Sequence, residues 1–99
     1  MKIVFVIYHD VLDDRVSSLL DELKIDFYTE WENVKGKGHS TDPHLGTRTF
    51  PGYNNVRMIA LPGDELLEKL ITGIENLNEK IARIDDKIRL FQVPLERIL

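Results

Sequence analysis

Two adjoining stretches of the chain concentrate the groups that do chemistry. Lys35-Gly36-Lys37-Gly38 alternates two cations with two glycines. Glycine has no Cβ to restrict its backbone, so its N–H turns readily toward an anion, and the neighbouring ammonium groups add charge. His39, Asp42 and His44 then place two imidazoles and a carboxylate within six residues, with Pro43 stiffening the turn. Imidazole with carboxylate suits zinc, copper or nickel better than calcium or magnesium. A closed structural site needs four ligands, so a further ligand would come from a water, a partner or a neighbouring subunit. His9, Glu30 and Glu32 would join only if the loop folded back onto the strand ends. His9-Asp10, and Ser40 beside His39, supply the residue types for acid–base or nucleophilic work. Neighbours in sequence do not make a triad, however, and a long loop preorganises catalytic groups poorly. The expectation is a binding protein and not an enzyme.

These groups lie in one segment, residues 34–54, which holds four of the six glycines and two of the three histidines. The segment has no apolar periodicity and so reads as neither strand nor helix. It exceeds the ~12–15 residues beyond which a structureless connection is either functional or disordered. Trp31 and Phe50 stand near its two ends, placed to pin its base by cross-strand packing.

The flanking elements must hold this loop in place. Residues 3–7, IVFVI, form a continuous β-branched and aromatic run, the pattern of a strand covered on both faces. Asp10 is placed to cap a helix that begins just after it. Leu12, Val16, Leu19, Leu20 and Leu23 recur at helical spacing and predict an amphipathic helix over 11–23. Alternation from Ile25 through Phe27 and Thr29 to Trp31 predicts a second, half-buried strand. Residues 56–61 predict a third strand, which Pro62-Gly63-Asp64 ends. A second helix carries Leu66, Leu67, Leu70, Ile71, Ile74 and Leu77 on one stripe. Gly73 in that helix costs roughly 1 kcal/mol against alanine, a sign of close packing. Residues 88–93 predict a last strand stopped by Pro94.

The order βαββαβ predicts an α+β, ferredoxin-like sandwich, a single domain over residues 1–99 with both helices on one face of the sheet. The long loop falls in the β2–β3 hairpin, where it should project as an arm. The first strand is apolar on both sides, so the face away from the helices would expose a large apolar patch, which soluble monomers seldom do. Self-association by that face is the expected remedy, and a charge placed there, for example at Val4, should disrupt it.

Composition narrows the partners. Thirteen Lys and Arg against seventeen Asp and Glu give a formal charge of −4, the wrong sign for a phosphate-neutralising nucleic-acid surface. There is no cysteine, which excludes disulfides, thiolate metal sites and a thiol nucleophile. The opening apolar run is too short to span a bilayer. No membrane insertion and a cytoplasmic location are expected.

Several segments together resemble the PII signalling family. Met1-Lys2-Ile3 leading through Leu12-Asp13-Asp14 into a helix is similar to the family's opening. Val34-Lys35-Gly36-Lys37-Gly38 resembles the V-x-G-x-G stretch that begins its T-loop, and residues 87–98 resemble its closing strand and tail. The resemblance implies a homotrimer with sheets facing inward and a role in signal transduction and nitrogen regulation. It also implies adenine nucleotide in the clefts between subunits, and a loop over 35–53 that docks onto a transporter, enzyme or regulator. Lys35, Gly36, Lys37, Gly38, Arg83 and Lys87 would meet the ligand. The chain departs from the pattern where the family carries a glycine-rich T-G-x-x-G-D-G-K phosphate loop. Here residues 80–87 read KIARIDDK, without glycine and with Asp85 and Asp86 side by side, which predicts weak nucleotide binding. No tyrosine precedes Tyr53 in the loop, so the family's modified tyrosine has no evident counterpart. The CutA-type divalent-cation-tolerance proteins share the trimeric architecture and supply the alternative, metal binding by His39, Asp42 and His44.

Overall fold

A computed structural model describes residues 1–39 and 41–99; Ser40, named above beside His39, lies outside the described residues. Strand β1 spans Lys2–His9 and helix α1 Asp13–Glu22. Strands β2 and β3 span Thr29–Val34 and Asn54–Leu61. Helix α2 spans Asp64–Glu79, and β4 spans Arg89–Pro94. The sheet is antiparallel in the order β2-β3-β1-β4. This is the expected ferredoxin-like sandwich, with the apolar first strand in the centre.

The pleat sorts the side chains. Val4, Val6 and Tyr8 of β1, Ile59 and Leu61 of β3, and Ile88 just before β4 are buried beneath the helices, against Val16, Leu19, Leu20, Leu67, Leu70 and Ile74. Burying each large aliphatic side chain contributes roughly 1.5–3 kcal/mol. The other face carries Ile3, Phe5 and Ile7, paired with Ala60, Met58 and Val56 on one side and with Val93, Phe91 and Arg89 on the other. Phe91 and Val93 are exposed, as is Trp31 across from Val56. The second apolar face is therefore present, but Val4 belongs to the core. A charge placed at Val4 would unfold the chain, so Phe5 is the residue that probes the open face.

Gly73 lies directly under Leu19. A Cβ added there would collide with the Leu19 side chain, so the glycine allows α2 to approach α1.

Two local features depart from the sequence pattern, each for a visible reason. Helix α1 ends in a Schellman arrangement: Ile25 N–H donates to Leu20 O at 2.8 Å and Lys24 N–H to Asp21 O at 3.0 Å. Lys24 takes the left-handed conformation, φ 58°, where glycine is usual. Ile25 is thereby drawn into the core as the plug below the helix, and β2 begins four residues later than the alternation suggested. Asp10 is not a cap. It opens a short 3₁₀ turn over Asp10–Leu12, capped by His9, whose Nδ1 accepts from Val11 N–H at 3.1 Å.

Candidate functional site

The long loop does not project as an arm. It folds back over the end of the sheet where β1 finishes, β3 starts and β4 approaches. Near the end of β2 the register with β3 shifts between Trp31 and Val34, and Asn33 adopts φ 59° there. This irregularity, which the short polar Asn side chain tolerates, turns the chain out of the sheet. Gly36 and His44 then pair as an isolated bridge, with Gly36 N–H donating to His44 O at 2.9 Å and His44 N–H to Gly36 O at 2.7 Å. Beyond it a second small turn forms: Gly46 N–H donates to Gly52 O at 2.7 Å, and Phe50 N–H to Thr47 Oγ1 at 3.0 Å. Gly52, at φ 82°, lies so close to His9 Nε2 that a side chain there would displace the imidazole. Asp10 N–H donates to Tyr53 O at 2.9 Å and fastens the end of the loop to the end of β1.

His44 is the centre of this arrangement. Its Nδ1 is 2.7 Å from Asn54 Oδ1, and its Nε2 faces Asp86 Oδ1 at 3.6 Å. Its ring meets His9 edge to face, with centroids 4.2 Å apart. The side chain is only 12% exposed. One loop residue thus touches the end of β1, the start of β3 and the segment before β4.

Under the bridge is a cleft of about 330 Å³. Gly36, Lys37, Gly38, Asp42 and His44 line it from the loop, Tyr8 and His9 from β1, Asn54 from β3, and Asp85, Lys87, Arg89 and Phe91 from around β4. Of the six residues expected to meet an anion, Gly36, Lys37, Gly38 and Lys87 come together here. Lys35 is exposed and does not line the cleft. Arg83 faces an adjoining hollow of about 320 Å³ that also contains His9, Asp42, His44 and Asp86. The Gly36 N–H is already taken by His44, so the cations Lys37, Lys87 and Arg89 remain as the main attraction for an anion. Arg89 was missed, because in the sequence it reads only as the outward residue of an alternating strand.

Arg83 Nη2 donates to Asp42 Oδ2 at 2.7 Å and to Asp85 Oδ2 at 3.0 Å. The Asp85 and Asp42 carboxylates hold its guanidinium above the usual value. The three residues expected to ligate metal are not gathered. Asp42 turns to Arg83, His44 turns to Asn54, and His39 is exposed. Among the described residues no group of three or more His, Asp or Glu is placed to hold a metal ion.

A separate polar cluster supports the site from beneath. Tyr8 donates its hydroxyl to Asp13, and Asp13 also receives Asn55 Nδ2 at 3.2 Å and Arg57 Nη2 at 3.1 Å. Arg57 is 3% exposed, donates to Ser17 Oγ at 2.7 Å and lies over the Tyr28 ring. Its Nε makes no hydrogen bond among the described residues and has Glu30 Oε2 at 3.8 Å. Burial raises the Tyr8 phenol, and its hydrogen bond to Asp13 raises it further. Burial alone would raise Asp13 too, but the hydrogen bonds from Tyr8 and Asn55 and the Arg57 charge outweigh it and hold the carboxyl below its usual range.

The fold is thus an α+β ferredoxin-like sandwich whose long β2–β3 loop lies over a cleft lined by Lys37, Lys87 and Arg89 together with Asp42 and Asp85. The profile of the family described as nitrogen regulatory protein P-II matches residues 1–98, and the chain belongs to that family. No curated protein matches the chain at the sequence level. Among solved structures it is similar to CPII, a nitrogen regulatory PII-like protein from Thiomonas intermedia K12, bound to ADP, AMP and bicarbonate. That match has a TM-score of 0.69 at 20% identity and covers 97% of this chain and 88% of that one. The apo form of CPII matches at a TM-score of 0.64 and 18% identity, covering 98% and 92%. A further CPII structure, bound to ADP, AMP and acetate, matches at 0.61 and 17%, covering 97% and 88%. No helix among the described residues is long and apolar enough to cross a membrane.

Proposed function

We propose that the chain is a non-enzymatic, cytoplasmic PII-like regulator that binds a small anionic ligand under its loop and passes the bound state to a protein target through residues 35–53. The observation that carries this reading is the cleft itself, which is lined by Lys37 from the loop and by Lys87 and Arg89 from around β4. An anion bridging those cations would tie the loop's position to occupancy, which is the differential contact a signalling loop requires. The apolar face of Ile3, Phe5, Ile7, Met58, Phe91 and Val93 supports a homotrimer, in which that face would be covered.

The nucleotides and bicarbonate of the CPII structures suggest the probes. Without a glycine-rich phosphate loop, and with Asp85 in the cleft, the site offers few backbone donors to a polyphosphate. ATP is therefore expected to bind weakly, and ADP, AMP or bicarbonate at least as well. Calorimetry on the purified protein tests this, with Lys87→Ala and Arg89→Ala expected to weaken whichever ligand binds. Tight, magnesium-dependent ATP binding would overturn the ligand preference. Binding that neither substitution alters would overturn the site. The metal-tolerance alternative has less support, since its three ligands are turned to other partners.

A further inference from the structure

Asp42 occupies an unusual position. It lines both the cationic cleft and the adjoining hollow, and its carboxylate is held at 2.7 Å by Arg83. Arg83 is thus a cation beside a candidate anion site whose guanidinium is already engaged by a carboxylate from the loop above. Within the cleft, Lys37, Lys87 and Arg89 stand against Asp42 and Asp85. Withdrawing Asp42 would remove one of the two negative charges and would leave Arg83 held by Asp85 alone, with donors free for an anion. Arg83 and Asp42 are 61% and 66% exposed, so their contact is accessible to solvent and to a competing anion.

We infer that Asp42 is an internal competitor for the anion site: its carboxylate holds Arg83 in the ligand-free protein, latching the loop down, and a bound anion takes its place. This inference rests on the anion-binding reading given above and adds the regulation of that site. Ligand binding would exchange the Asp42–Arg83 contact for an anion held by Lys37, Lys87 and Arg89, so that residue 42 leaves the segment before β4 while Lys37 stays over the cleft. An exposed ion pair contributes little, so the latch is weak and easily reversed, as a sensor needs. Salt should loosen it, because exposed charges are screened. Asp85 also reaches Arg83, but it belongs to the same short segment and cannot report on the loop.

The test is a two-residue cycle on the full chain. Hydrogen exchange of amides 36–46 without ligand should be faster in Asp42→Asn and in Arg83→Gln, by similar factors, and no faster in the double variant. Titration with ADP and with inorganic phosphate should show Asp42→Asn binding about threefold to fivefold more tightly than wild type, the factor that one exposed pair supplies. In the Arg83→Gln background the same change should give a clearly smaller gain, that of the removed charge alone. A gain that persists undiminished there means that Asp42 acts only as a nearby negative charge, and overturns the competition. Exchange unchanged in both single variants overturns the latch. Failure of both probes to bind any variant overturns the anion site and the competition together, a result distinct from binding that Asp42→Asn leaves unaltered, which overturns the competition alone.

Discussion

The Tyr8 hydroxyl lies 2.7 Å from Asp13 Oδ1, the same oxygen that receives the buried Arg57. The strand that ends at the cleft and the first residue of α1 are therefore joined by a shared acceptor. Asp13→Asn leaves Arg57 with Glu30 as its remaining carboxylate and should cost about 2 kcal/mol at neutral pH. Urea unfolding at pH 7 measures this, and a loss within error of zero would show that Glu30 compensates.

The same pairing fixes the response to acid. Asp13 is ionised in the folded state down to a lower pH than its ordinary value of 3.8. Its contribution is fully present above that value and is lost as pH falls from there through the depressed folded-state value. Wild type should lose stability over that window, and Asp13→Asn should lose less. Parallel acid slopes for the two proteins would contradict the assignment.

The open sheet face makes the assembly testable. Light scattering should give about three times the 11.5 kDa chain mass. Phe5→Glu, between Met58 and Phe91 on that face, should yield monomer or precipitate, whereas Val4→Glu should abolish folding because it buries a charge. A folded wild-type monomer at micromolar concentration would rule out the trimer.

His44 and His39 should behave differently, although they stand close in sequence. His44→Ala removes the ring that packs on His9 and its hydrogen bond to Asn54, and should speed proteolysis within residues 36–46 about fivefold. His39→Ala should leave the rate unchanged. Protection by zinc that needs both histidines would reverse this expectation and restore the metal reading.

Gly73→Leu should destabilise the protein by about 2 kcal/mol, because the added side chain must displace Leu19 or push α2 outward. Thermal melting is the check. An unchanged midpoint would mean that the helices separate freely.

Much of the architecture was legible because its signals are periodic. The stripes of α1 and α2 and the alternation of β3 each follow from burying one face. Ile25 misled because its burial serves a helix end, a role that a non-glycine residue at position 24 disguises. Lys37 and Lys87, singled out by type and spacing, do line one cleft. The inward fold of that loop was not legible, since it depends on His44 meeting His9, Asn54 and Asp86 across separations that local patterns do not encode. Lys35 and Lys37 looked equivalent in sequence, but only Lys37 lines the cleft.

The loop joins β2 and β3, which are neighbours in the sheet and already held by pairings such as Trp31 with Val56. Its two ends are therefore fixed by strands that do not need the loop to find one another. Closing a longer connection costs only about 0.6 kcal/mol for each doubling of its length. This segment is accordingly a replaceable cassette: residues can be inserted, removed or exchanged within it at little expense to the sandwich. The scaffold can in this way change the residues that cover its cleft while the strands that frame it remain unaltered.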